Sequence, residues 1–242
     1  MKASVSTLAI RSLFALCSIA SIGIASAADP VTDIMQKAYA PYRVALFKTN
    51  SNSQAEAQQA ITQAQQSWGQ IATQFGAKPA APYDRDTDFA KSLAEVSKVY
   101  AKAAEEIGKN QLTEAHETLE HARDVMSEMR HRNNVIVYSD HMNAYHAQME
   151  LVLIDGPKTL AGPNGIQELT AQTGALEFLA ARLKSEAPAD YAKNDEFNTM
   201  LAAVQKSVAD LKAALFTNDA TKVKDALGKV KVPYSKMFIK FG

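Results

Sequence analysis

Cysteine is almost missing from this chain: Cys17 is the only one in 242 residues. A disulfide scaffold is therefore excluded, and with Cys17 in a removable leader so are thiol catalysis and cysteine-based zinc sites. Charge of one sign is missing too, because 26 Lys and Arg balance 26 Asp and Glu. That leaves no basic footprint for nucleic acid and no strong field for an anionic membrane. Alternating strand patterns of useful length are absent. So are a glycine-rich phosphate loop, a G-x-S-x-G elbow and an H-E-x-x-H pair, and no motif names a reaction. There is one long apolar run, Leu13 to Ile24, and no second one follows it.

That run belongs to a segment, 1–27, with the form of a secretory signal peptide. Lys2 and Arg11 supply its positive start, and Ala25-Ser26-Ala27 has the small-x-small form of a cleavage site. Ser18, Ser21 and Gly23 interrupt the run, which is too short for a good spanning helix. Cleavage would remove Cys17 and leave a 215-residue chain, Ala28–Gly242, with 24 cationic against 26 acidic side chains. A soluble, cysteine-free domain behind a short leader fits a bacterial periplasm, and no membrane span is expected in the mature chain.

What remains reads as helix almost throughout. Ala, Gln, Glu, Lys and Leu dominate, and the few Pro and Gly fall at segment boundaries. The spacing predicts helices over about 29–48, 54–75, 86–108 and 112–132. A second set follows, beginning at the N-cap pair Ser139-Asp140 and ending by Asp155-Gly156-Pro157, then over about 166–185, 194–216 and 220–240. Pro41 is expected to kink or split the first helix, and Pro233 to kink the last. Shifted by 108 residues, Tyr83 lands on Tyr191, Phe89 on Phe197, Asn110 on Asn218 and Met129 on Met237. Over 83–129 this ungapped comparison gives 12 identities in 47 positions. The fold class expected is all-α: two tandem four-helix units, 28–135 and 136–242, related by internal duplication in an up-and-down helical bundle.

Imidazole and thioether side chains are concentrated in one stretch. All five histidines, with four of eight methionines, lie between His116 and Met149. Met142, His146 and Met149 stand at i, i+4 and i+7, the spacing of one helical face. Such a face can bind Cu(I) through soft ligands, or Cu(II) with carboxylate help. The plainer reading is a bundle core in which the methionines pack and His146 sits at the edge. His116 with Glu120, and Glu117 with His121, are i, i+4 pairs that suit either chelation or a solvated face. A tight 132–138 loop would make the two helices antiparallel, bringing His131 and His141 together near Asp140. His116 lies turns away, so one site cannot hold every histidine. A di-iron carboxylate centre is disfavoured, because Glu128-Met129-Arg130-His131 is the only Glu-x-x-His tetrad of the mature chain.

The second set, about 139–242, resembles the cytochrome c-prime family of secreted four-helix bundles, whose haem is attached near the end of the fourth helix. Here that region reads Asp225-Ala226-Leu227-Gly228-Lys229-Val230-Lys231-Val232-Pro233-Tyr234. The C-x-x-C-H of the family is missing, so the resemblance implies a haem-less bundle in a redox or metal-handling setting and no covalent haem. The function expected is non-enzymatic periplasmic metal binding, copper first and iron second. The ligands expected are His141, Met142, His146 and Met149, then His131, His121 and His116. The alternative is a metal-free interaction module for an envelope protein partner, using the apolar segment Met237-Phe238-Ile239-Lys240-Phe241-Gly242.

Overall fold

The computed structural model describes residues 29–242; the expected leader and Cys17 lie outside the described residues. Helix α1 spans Pro30–Asn50, α2 Gln54–Phe75, α3 Phe89–Gly108 and α4 Leu112–Arg132. Then come α5 Tyr138–Leu160, α6 Gly165–Ser185, a single turn α7 Ala189–Ala192, α8 Asp195–Phe216, α9 Ala220–Leu227 and α10 Lys231–Phe241. The described residues contain no strand, so the chain is all-α. No helix among them is long and apolar enough to cross a membrane.

Local chemistry explains where these helices start and turn. Asp29 caps α1 by accepting from Thr32 N at 2.9 Å, and Pro30 opens the helix where a missing N–H costs nothing. Asn52, Asn110, Asn134 and Asn218 all take positive φ, between 53° and 59°, and no glycine among the described residues does. Each lies in a short helix–helix connection, where the compact Asn side chain tolerates the left-handed conformation. The chain therefore reverses on asparagine, consistent with its sparing use of glycine.

Several expected boundaries are corrected. Pro41 does not split α1; the carbonyl it leaves without an intrahelical partner belongs to Lys37, an exposed residue, so the helix continues at little cost. Helix α3 begins at Phe89, after a separate 3-10 turn at Tyr83–Arg85. Helix α5 starts at Tyr138, so Ser139 and Asp140 lie inside it, and it continues through Gly156 and Pro157. Gly156 is buried against Leu169 and Leu227, where a Cβ would make only ordinary contact at 3.5 Å, and it eases the crowding before proline. The last expected helix is two: it breaks at Gly228–Val230, and Pro233 occupies the first turn of α10, where it breaks no hydrogen bond.

Packing sets the order of the helices. Helix α1 lies against α2 and α4, α2 against α3, and α3 against α4. In the second half α5 lies against α6, α9 and α10, α6 against α8, and α8 against α9 and α10. Local geometry recurs at the 108-residue offset: the Tyr83 and Phe89 rings are 5.3 Å apart, and the Tyr191 and Phe197 rings 5.4 Å. The halves meet where α1 packs on α10 and where long polar side chains bridge α4 to α5. Contacts pair Tyr42 with Leu119, Arg123 with His146, Tyr234 with Met142 and Arg43 with Phe238. Each of these four helices thus runs antiparallel to the next, and the junction is a four-helix ring of its own.

Candidate functional site

One end of that junction holds the histidines that matter most. His116, Glu120 and Arg123 fall at i, i+4 and i+7 on α4, so they share one half-buried face that flanks the buried Ala115, Leu119 and Ala122. His146 and Glu150 repeat the i, i+4 spacing on α5. These side chains, with Asn50 of α1 and Lys231 of α10, line a groove with about 290 Å³ of free volume. It deepens over an apolar floor of Leu46, Phe47, Tyr234 and Phe238.

The groups in the groove form an alternating chain. The Nδ1 of His116 lies 3.0 Å from the Leu46 carbonyl and 3.3 Å from the Thr49 hydroxyl. A carbonyl only accepts, so Nδ1 carries the proton and Nε2 keeps its lone pair. That Nε2 faces Glu120 at 4.0 Å, and Glu120 takes Arg123 at 3.3 Å. The Arg123 guanidinium also donates to Nδ1 of His146 at 3.2 Å. His146 then presents Nε2 to Glu150 at 3.5 Å, and Lys231 reaches the same carboxylate at 3.1 Å. The His146 ring stacks on Tyr234 with centroids 5.5 Å apart. His146 and Lys231 hold Glu150 down to about 2, below the usual carboxylate range, against the opposing effect of burial. Burial lowers the His116 imidazole below its ordinary value, and the Glu120 charge only partly offsets this.

The other expected ligands are dispersed. Met142 and Met149 are fully buried with Tyr145 and Val152, so that stripe is core and the thioethers do not open onto the groove. His146 lies beside the stripe and faces the opposite half. His141 faces Glu186, at the C-terminal end of α6, at 4.0 Å, and burial followed by the Arg182 charge lowers its imidazole. His131 is mostly exposed, 3.9 Å from Asp140. His121 is on the outer surface, where its partner is Glu95 of α3 at 3.8 Å rather than Glu117. Asp140 serves structure instead: it accepts from Arg130 through both oxygens, from Ser127 at 3.1 Å and from Val137 N at 3.0 Å. Among the described residues, no three His, Cys, Asp or Glu side chains converge as a ready-made metal cage.

Arg123, Glu150 and Lys231 were missed as site residues. Their signal was present in part, since Arg123 continues the His116–Glu120 spacing and Glu150 follows His146 by four. Nothing local points to Lys231, which arrives from a helix far along the chain. No protein-family model, curated protein or solved structure matches this chain.

Proposed function

We propose that this is an exported, non-enzymatic metal-binding protein whose ion is held in the groove between α4 and α5. The observation that carries the reading is the pairing of His116 and His146, each followed four residues later by a carboxylate. His116 has the arrangement of a metal ligand: one ring nitrogen donates to a backbone carbonyl, which orients the ring and leaves the other free. The residues that would hold the ion are His116 and His146, with Glu120 and Glu150 completing the set. Export rests on the leader-like segment 1–27.

The donor chemistry narrows the metal. With Met142 and Met149 in the core, the soft thioethers that favour Cu(I) are withdrawn. Two imidazoles with carboxylate help suit Cu(II) ahead of iron, in the order of intrinsic affinity. Arg123 and Lys231 already neutralise the two carboxylates, so an ion must displace them, and binding is expected to be micromolar rather than tight. The segment proposed for an interaction module is not a free surface, because Met237, Phe238 and Phe241 are buried in the protein's own core.

Calorimetry of tag-free protein with Cu(II), Fe(II) and Cu(I) tests this. The expected result is one saturable Cu(II) site, lost in H116A/H146A and kept in H141A. Absence of stoichiometric Cu(II) binding to folded wild type, or its survival in H116A/H146A, would sink the proposal.

A further inference from the structure

The charged side chains that line the histidine groove cancel one another. Glu120 and Glu150 stand against Arg123 and Lys231. A guanidinium only donates, so Nδ1 of His146 accepts from Arg123 and that ring is neutral, as is His116. A divalent ion taken by the two carboxylates frees both cations and leaves the groove with two excess positive charges. Arg123 is only 16% exposed, so it cannot carry its charge out to water as a surface lysine does. Half-buried charge without a partner is costly, and an anion that enters with the ion removes that cost.

The donors point the same way. Arg123 stands between the two halves of the set, 3.3 Å from Glu120 and 3.2 Å from His146. The pairs on α4 and α5 therefore flank a guanidinium instead of closing around one point. An ion held by them keeps coordination positions open to a further ligand. The groove is also larger and less polar than an ion requires. Its free volume is about 290 Å³, and the exposed Ile154 lines it. Half-buried Phe47 stands over the floor of Leu46, Tyr234 and Phe238. A bare ion gains nothing from such surface, whereas an organic body does.

We infer that the groove takes its ion as a complex with an anionic organic chelator, whose charge is met by Arg123 and Lys231 and whose apolar body lies along the groove's apolar surface. The inference rests on the metal reading and names what accompanies the ion. Hydroxamates are of this chemical class, with an oxygen pair on the metal and a carbon body beyond it. The freed guanidinium offers the fork of donors that suits such oxygens.

The test is equilibrium dialysis of the full chain against Cu(II) alone, 1:1 Cu(II)–benzohydroxamate, 1:1 Cu(II)–acetohydroxamate and metal-free benzohydroxamate. Copper and hydroxamate are measured separately. The expected result is one copper and one benzohydroxamate retained per chain, roughly tenfold tighter than the acetohydroxamate complex, because only the former buries a ring. Metal-free benzohydroxamate should not be retained. R123Q should lose most of the preference for the benzohydroxamate complex over bare Cu(II). Copper retained without hydroxamate overturns the inference and leaves the metal reading standing. Equal retention of the two complexes, or retention of metal-free benzohydroxamate, overturns it as well. Copper retained in none of these forms overturns both readings. Should R123Q fail to fold, the contrast between the two hydroxamates in the wild type decides alone.

Discussion

Between α2 and α3, Ile61, Trp68, Ile71 and Leu93 are buried, and the indole N–H has its acceptor in the Leu93 carbonyl at 2.9 Å. Between α1 and α5 the material is different: the Tyr39 hydroxyl, the Arg43 Nε and both amide atoms of Asn143 are buried without partners. The outer layers are mainly apolar, although the buried Tyr100 hydroxyl of α3 and the Thr173 hydroxyl of α6 also lack partners. The junction carries cations, imidazoles and unmet donors, which cost stability. Polar groups in such a place need a reason other than packing, and the histidine groove lies there.

The contrast can be broken by substitution. Trp68→Ala, in an outer layer, should give the largest effect, a loss of about 3–5 kcal/mol, measured by urea unfolding followed by circular dichroism. Asp140→Asn should cost nearly as much, about 3 kcal/mol, because it strands the buried Arg130 guanidinium. Here full satisfaction makes the polar group structural. Tyr39→Phe should go the other way, leaving stability unchanged or raising it by about 1 kcal/mol, since it removes a buried hydroxyl with no partner. A loss of that size in Tyr39→Phe would mean that the junction is packed like the outer layers.

The smallest effect is a pH dependence. Burial lowers His116 and His141 below the ordinary 6.5, so between the two values the unfolded chain binds more protons than the native one. Stability from these groups is present above about pH 6.5 and falls as the solution is acidified through their native values. The Glu150 contribution is lost lower, between its ordinary 4.5 and about 2. Thermal midpoints across pH 5 to 8 should therefore drop on the acid side by a few degrees, and H116Q/H141Q should flatten the slope. An unchanged slope in that variant would place the linkage elsewhere.

The helices were legible because their causes are local. The i, i+3 and i+4 spacing of Leu112, Ala115, Leu119 and Met126 marks the buried face of α4 without reference to any other element. The errors came where a local breaker rule met helices held by packing along their length: α1 runs on through Pro41, and α5 runs past Gly156 and Pro157. The histidine cluster was legible only as a density. Spacing put Met142, His146 and Met149 on one face, yet the methionines pack inward while His146, at the edge, reaches the other half.

The sequence by itself determined that this chain is helical, where most helices begin and end, and that it reverses on asparagine, because backbone hydrogen bonding and φ preference are settled within a few residues. Only the tertiary structure decided that His116 meets His146 rather than His131 meeting His141, and that Lys231 and Arg43 enter the junction. Those meetings join helices distant in sequence, through a register set by packing across the whole molecule.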